Sequence, residues 1–139
     1  MTARESVTAG CQRRGPEAVV AGCVGLLDGT GPDEGLIIGL GGKAARYVLS
    51  DGEGGASGHW PRVWAARGLL DAWSDAAAAA IIRATGDEAW RVREMAAKVI
   101  AGRRLAGALD ADVARRDDPV TRVRAAASRA VVTLTATGA

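Results

Sequence analysis

The sequence predicts an all-α protein whose fold class is a right-handed α-solenoid of stacked antiparallel helix pairs. Thirty of its 139 residues are alanine, the strongest helix former, and the chain contains no Phe, so helices are favoured over strands. An Arg-Val motif recurs at spacings of 29 and 31 residues, which is typical of a stacked helical array. The length of the chain fits a single domain, 1–139.

The region 16–58 is expected to form atypical N-terminal helices followed by a glycine-rich loop. Pro16 predicts the start of a helix, because proline is favoured at the first helical position, and a run of turn residues follows Leu27. A further helix is expected from Asp33 to near Ser50. Gly39, Gly41 and Gly42 weaken the start of this helix, because glycine is a poor helix former.

Three segments lie outside these expected helices. The composition of 51–58, which reads DGEGGASG, predicts a loop. Residues 1–14 and the tail after Leu134 are expected to fray, since chain ends are ordered only where other elements hold them.

The sequence predicts a cytoplasmic protein with no membrane contact. The N-terminal residues contain no apolar run typical of a signal peptide, and no apolar stretch is long enough to span a bilayer. Cys11 and Cys23 are therefore expected to be reduced thiols, and their spacing matches no metal or redox motif.

The region 59–139 is expected to contain three repeats, at about 59–86, 87–116 and 117–139. Each repeat is predicted to consist of two antiparallel helices joined by short turns. The first helix of each repeat carries one copy of the recurring motif, which reads Arg62-Val63-Trp64, Arg91-Val92-Arg93 and Arg122-Val123-Arg124.

The helices of the second and third repeats show apolar faces at helical spacing. Asp118 is expected to cap the first helix of its repeat, with Pro119 at a first helical position. Asp87 and Glu88 place negative charge at the start of the preceding first helix, where the helix dipole favours it. Second helices are expected at about 76–84 and 105–115. The apolar faces consist of Val92, Met95, Ala96 and Val99, of Val123, Ala126, Ala127 and Ala130, and, for the helix at 105–115, of Leu105, Ala108, Leu109 and Val113.

Two stretches after Pro61 carry a family resemblance: Asp118-Pro119-Val120 followed by Arg122–Ala126, and Asp87–Glu94. They resemble HEAT repeats in the short form of phycobilisome-lyase-type and bacterial alkylpurine-glycosylase-type solenoids. The Arg- and Ala-rich composition looks like that of small HEAT-repeat proteins of high-GC actinobacteria. The resemblance implies a fold and not a reaction, and it implies Asp and Arg residues that tie one repeat to the next.

One arginine of each motif forms a predicted arginine ladder of Arg62, Arg91 and Arg122, with Arg93 and Arg124 on the other flank. One interpretation is a basic surface for a phosphate backbone or an acidic peptide, and residues 87–139 carry three more basic than acidic residues. The other interpretation is local ion pairing. Asp87 and Asp118 each lie four residues before an arginine of the ladder, which is the spacing of a helix-face pair.

The tryptophans supply a second candidate for recognition. Trp64 and Leu69 replace charged residues of the other copies, so burial is expected for this helix, and burial is also expected for Trp73. Trp90 points away from the apolar face and is the best candidate for a contact residue. The candidate binding surface therefore consists of Arg62, Trp90, Arg91, Arg93, Arg122 and Arg124.

Neither of two further features, a glycine-rich stretch and the single histidine, predicts a nucleotide-binding, catalytic or metal site. The stretch Gly39–Ala44 imitates a dinucleotide-binding turn, but no parallel strand follows it, so a helix start or break packed closely against a neighbour explains its glycines better. His59 is the only histidine, and no second histidine or Cys-rich cluster accompanies it. No catalytic residue, metal or cofactor is therefore expected.

The function that the sequence favours is a non-catalytic HEAT-type scaffold that binds a protein partner. The alternative is a nucleic-acid-binding protein related to the alkylpurine DNA glycosylases, which would use a basic concave surface. The sequence leaves enzymatic activity open while favouring its absence, and it identifies neither the partner nor the oligomeric state.

Overall fold

The structure, a computed structural model, describes residues 2–30, 33–50, 55 and 58–136. These residues contain nine α-helices and no strand, which confirms the all-α prediction. No helix in the described part of the chain has the length and apolar character needed to cross a membrane.

The chain divides into two compact units, Met1–Ala80 and Ile81–Ala139. The boundary falls inside the expected repeat 59–86, and the expectation of one domain over 1–139 stays a prediction. The first unit contains α1 (Ala3–Arg14), α2 (Pro16–Asp28), α3 (Glu34–Gly41), α4 (Lys43–Leu49) and α5 (His59–Gly68). A 3-10 turn at Asp75–Ala77 then leads into α6 (Ala78–Ala84), which contains the boundary.

The second unit contains α7 (Trp90–Arg103), α8 (Leu109–Arg115) and α9 (Thr121–Thr135). A 3-10 turn at Ala106–Ala108 precedes α8. Both α7 and α8 pack against α9. The helices expected at about 76–84 and 105–115 are therefore present, but each begins with a 3-10 turn.

Helix α1 forms where the sequence predicted a frayed end. The Thr2 hydroxyl accepts a hydrogen bond from the Glu5 N–H, and the Glu5 carboxylate accepts one from the Thr2 N–H, both at 3.1 Å. This capping box satisfies two backbone donors at the helix start. The helix buries Val7 and packs against α2 and α3. Its sequence is only weakly amphipathic, so the sequence alone does not predict these contacts.

The segment expected as one helix from Asp33 to near Ser50 forms two helices, α3 and α4. Asp33 caps α3, because its carboxylate accepts a hydrogen bond from the Leu36 N–H at 2.9 Å. The break lies at Gly42, whose φ of 59° is readily adopted only by glycine. The expectation of a single helix is therefore wrong, and of the two roles expected for the glycines, a helix start or a helix break, the structure shows the break.

Gly41, the last residue of α3, packs directly against the ring of Trp64. A Cβ atom at Gly41 would lie 2.5 Å from Cζ3 and 2.6 Å from Cε3 of that ring. The close packing predicted for this glycine stretch is thus confirmed. Trp64 is 5% exposed and Leu69 is fully buried, as expected for the α5 region.

The apolar faces predicted for α7 and α9 form the core of the second unit. Their residues Val92, Ala96, Val99, Val123, Ala126, Ala127 and Ala130 are at most 2% exposed, whereas Met95 is half-buried. The prediction for α8 is partly wrong. Val113 is 43% exposed, and the neighbouring Asp112 is fully buried in its place.

Parts of two predictions lie outside the described residues. Of the loop expected at 51–58, only Gly55 and Gly58 are described. The tail expected to fray after Leu134 is helical up to Thr135, and the last three residues are outside the described chain.

Gly41→Ala should destabilise the first unit, because the new methyl group would overlap the Trp64 ring. We expect a loss of about 1–3 kcal/mol in the free energy of unfolding. The matched control is Gly39→Ala on the same helix, where a Cβ meets only the end of Arg13 at 3.6 Å. The control should gain up to about 1 kcal/mol from helix propensity. Urea denaturation measures both, and equal effects of the two substitutions would contradict the close contact.

Candidate functional site

Five of the six candidate binding residues lie at the starts of two helices of the second unit. Trp90, Arg91 and Arg93 lie in the first turn of α7, and Arg122 and Arg124 lie in the first turn of α9. The sixth, Arg62, lies on α5 of the first unit, where its Nη1 donates a hydrogen bond to the Gly58 carbonyl at 3.0 Å.

The same aspartate turn precedes both helices. Asp87 Oδ1 accepts a hydrogen bond from the Ala89 N–H at 2.8 Å, and Asp118 Oδ1 accepts one from the Val120 N–H at 2.9 Å. The two aspartates therefore lie two residues before the capping positions, which are Ala89 and Val120. The sequence predicted Asp118 as a cap with Pro119 inside the helix, and Asp87 as a favourable negative charge at a helix start. The structure instead uses them in Asx turns, which side-chain oxygens of Asp form readily.

Arg93 and Arg124 close these turns from equivalent positions. Arg93 Nη1 donates to the carbonyl oxygens of Asp87 at 2.8 Å and Glu88 at 3.1 Å. Arg124 Nη1 donates to the carbonyl oxygen of Asp118 at 2.7 Å. Both guanidinium groups therefore hold the backbone that leads into their own helix.

Arg93 also forms a buried ion pair with Asp118. Its Nε lies 2.8 Å from Oδ2 and its Nη2 lies 3.2 Å from Oδ1 of a carboxylate that is 0% exposed. Arg115 adds a longer contact of 3.5 Å. Burial would raise the pKa of Asp118, but the Arg93 hydrogen bond, the Val120 N–H and the two arginine charges outweigh it and lower that pKa.

This ion pair connects the expected repeats 87–116 and 117–139. It is the kind of Asp–Arg tie that the HEAT resemblance implies. The predicted pairing of Asp118 with Arg122 along one helix face is wrong, because the carboxylate turns toward Arg93 and Arg115. The corresponding pairing of Asp87 with Arg91 stays a prediction.

Arg122 pairs with Glu94 on α7. Its Nε lies 2.9 Å from Glu94 Oε2, and Lys98 Nζ lies 3.8 Å from the same oxygen. The Arg122 side chain is 61% exposed. The Glu94 side chain itself is only 9% exposed, but Lys98 remains beside its carboxylate, so we expect Arg122 to contribute less to stability than Arg93 does.

Trp90 contacts two guanidinium groups. The Cζ atom of Arg91 lies 4.4 Å from the centroid of the indole ring, and that of Arg122 lies 5.3 Å from it. Both distances fall within the range of cation–π interactions. The indole is half-buried, so part of its surface and the outer parts of the arginines face solvent together. We call these three residues the Trp90 surface.

The tryptophans of the first unit are arranged differently. Trp64 is buried, as predicted, and stacks on Trp60 with ring centroids 6.2 Å apart. Trp60 also contacts the ring of His59. Trp73 is half-buried and not buried as predicted, because its indole N–H reaches Asp75 Oδ1 at 3.4 Å.

Asp112 is a buried acid that the sequence did not single out. Neither of its carboxylate oxygens has a hydrogen-bond partner among the described residues, and burial raises its pKa to about 6. The adjacent Val113 fits the apolar period better, so no local signal could reveal which of the two faces the core.

The described residues hold no evident metal site. No three His, Cys, Asp or Glu side chains in the described ranges are grouped as ligands. Cys23 is buried, and burial, with a smaller contribution from Cys11, raises the pKa of its thiol to about 12. Cys23 is therefore protonated at neutral pH and behaves as a small apolar residue.

Arg93→Ala should strongly destabilise the second unit, because it leaves the Asp118 carboxylate buried without its main partner. We expect a loss of about 3–5 kcal/mol. Arg122→Ala should cost less, about 1–2 kcal/mol, because Arg122 is exposed and Lys98 still faces the buried Glu94 carboxylate. Arg93→Lys keeps the charge but not the forked geometry and should fall between them. Thermal and urea unfolding of the three variants measure the difference. Similar losses for Arg93→Ala and Arg122→Ala would contradict a structural role specific to Arg93.

Asp112→Asn should flatten the pH dependence of stability. The folded-state pKa of Asp112 is raised, so the folded protein binds more protons and the free energy of unfolding falls as pH rises from about 4 to about 7. Above that window the decrease is complete. Urea unfolding at several pH values measures the slope. Asp110→Asn, which changes an exposed acid on the same helix, should keep the wild-type slope, and an unchanged slope in Asp112→Asn would contradict the buried charge.

Comparison with known proteins adds no family to these observations. No family model matches the chain, and no curated protein or solved structure matches it either. The resemblance to HEAT repeats therefore stays a prediction from the sequence.

Proposed function

We propose that the chain is a non-catalytic HEAT-type interaction module whose Trp90 surface binds a protein partner in the cytoplasm of a bacterium. The observation that carries the proposal is the half-buried indole of Trp90 in contact with the guanidinium groups of Arg91 and Arg122, whose Cζ atoms lie 4.4 and 5.3 Å from the ring centroid. Trp and Arg are the residues most enriched among those that dominate binding energy at protein interfaces.

Two features of the second unit support a repeat architecture. The Asx turn and the arginine that closes it occur in the same form before α7 and before α9. These two helices, which are the first helices of consecutive expected repeats, pack against each other. A right-handed solenoid would continue this arrangement from repeat to repeat.

The roles of the arginines favour a protein partner over a phosphate backbone. Arg93 and Arg124 donate to the protein's own carbonyl groups, and Arg93 is also neutralised by Asp118. Arg122 is paired with Glu94. A surface of this kind presents an aromatic ring with charge that is partly compensated. It suits an apolar side chain of the partner flanked by one or two carboxylates.

The contacts around Trp90 also favour binding by pre-organisation. Two guanidinium groups contact the ring, and Glu94 restrains that of Arg122. Side chains that are already ordered lose less conformational entropy on association. A rigid surface can therefore bind with few contacts.

Nucleic-acid binding is the second candidate, because an aromatic ring beside arginines can also stack on an exposed base. Titration with labelled single- and double-stranded DNA at low and moderate salt, followed by fluorescence anisotropy, separates the candidates. We expect no binding that persists at moderate salt. Binding that persists and weakens with a steep salt slope would favour the nucleic-acid candidate instead.

Trp90→Ala should abolish recognition of peptides by the wild-type protein without unfolding it. A random peptide phage library selected on the wild type should yield acidic peptides with an apolar residue, and these should bind Trp90→Ala at least about thirtyfold more weakly. The control is Trp73→Ala, another half-buried tryptophan, which should bind them like the wild type. Fluorescence-anisotropy titration measures the affinities. Selection of no peptide, or equal binding by Trp90→Ala, would contradict the proposal.

A further inference from the structure

A large cavity of the first unit lies beside the break between α3 and α4. It has a volume of about 570 Å³, within the range of small-molecule sites. Its lining includes Ser6 of α1, the glycines at the helix break, Lys43 of α4 and Arg67 of α5. A second cavity of about 410 Å³, which includes Arg46, shares Gly42 and Lys43 with it.

The cavity of 570 Å³ has two cationic side chains and no acidic residue in the described part of its lining. Lys43 is exposed and has no hydrogen bond or ion pair to a described residue. Arg67 is half-buried and donates from Nη2 to the Leu40 carbonyl at 3.2 Å. The negative charge of Asp71, which also faces Arg4 at 4.0 Å, partly compensates that of Arg67.

The positive charge on Arg67 is incompletely satisfied. Burial lowers the pKa of its guanidinium group, although the charge of Asp71 acts in the opposite direction. The hydrogen bond to Leu40 uses one of the five N–H donors of Arg67, so other donors are left for a ligand. An anion in the cavity would offset this desolvation.

Gly42 has open space beside it at the helix break. A Cβ atom at Gly42 would project into space with no atom within 4 Å, and the φ of 59° at this residue disfavours any larger residue. The hydroxyl group of Ser6 lines the cavity and has no hydrogen-bond partner among the described residues. A donor and two cations thus line a space that the described side chains leave free.

We propose that this cavity binds a small phosphate-bearing anion through Lys43 and Arg67. Two cations match the two charges of a phosphate group, with Lys43 acting as a point charge and Arg67 as a planar donor. A dinucleotide-binding turn needs a following parallel strand, which this chain does not show in its sequence. The proposed site needs no such strand, because side chains of three helices line it. It lies in the first unit and is independent of the function proposed for the Trp90 surface.

The two lysines of the chain allow a matched test. Isothermal titration with inorganic pyrophosphate at low salt should give measurable binding to the wild type, and Lys43→Ala should weaken it about tenfold, as expected for loss of one charged contact. Lys98→Ala, which removes the other lysine, should bind like the wild type. In amide NMR spectra, the signals of Gly42 and Ser6 should shift with pyrophosphate.

Arg67→Lys provides a second variant, since it keeps the charge while losing the planar donor, and it should weaken binding with the fold intact by circular dichroism. Adenosine diphosphate and inorganic phosphate are titrated in parallel, and their affinities relative to pyrophosphate show which size of phosphate-bearing anion the cavity accepts. Absence of pyrophosphate binding, or an equal loss in Lys43→Ala and Lys98→Ala, would overturn the proposal.

Discussion

The ion pair between Arg93 and Asp118 is the interaction on which the second unit depends. Its carboxylate is fully shielded from water, so it must be matched by donors inside the protein, and the forked guanidinium group supplies two of them. The same arginine holds the backbone in front of α7, while the aspartate forms the turn in front of α9. One side-chain pair therefore sets the starts of two helices, whose alanine-rich faces can pack closely because their small side chains leave the backbones near each other.

This constraint divides the arginines into two groups with different consequences for function. Arg93 and Arg124 have their donors directed at backbone carbonyls, so a ligand would have to compete with the fold for them. Arg122 is exposed and only modestly restrained by Glu94, and it lies against the ring of Trp90. The five arginines of the motifs look equivalent in the sequence, but the structure gives them different roles. Arg93 and Arg124 form a structural set, and Arg122 with Arg91 forms a surface set beside Trp90. The surface set is small and partly neutralised, which suits a protein partner better than a polyanion.

The sequence predicted those parts of the fold that depend on local periodicity and turn chemistry. The faces of α7 and α9, the helix at Pro16 and the break at the glycines all follow from such signals. It did not predict α1, because a capping box and tertiary packing stabilise a helix with little amphipathic pattern. The partner of Asp118 and the burial of Asp112 could not be predicted either. Both depend on which residues distant in sequence face them, and spacing along one helix gives no information about that.

The central claim is that Arg93 and Asp118 stabilise the second unit as a coupled pair. A double-mutant cycle with Arg93→Ala and Asp118→Asn tests it most directly, because asparagine keeps an oxygen that can accept from the Val120 N–H while removing the charge. The account predicts a coupling free energy above about 2 kcal/mol from urea unfolding of the four proteins. Additive effects within about 0.5 kcal/mol would contradict it, and would show that the two residues stabilise the fold independently.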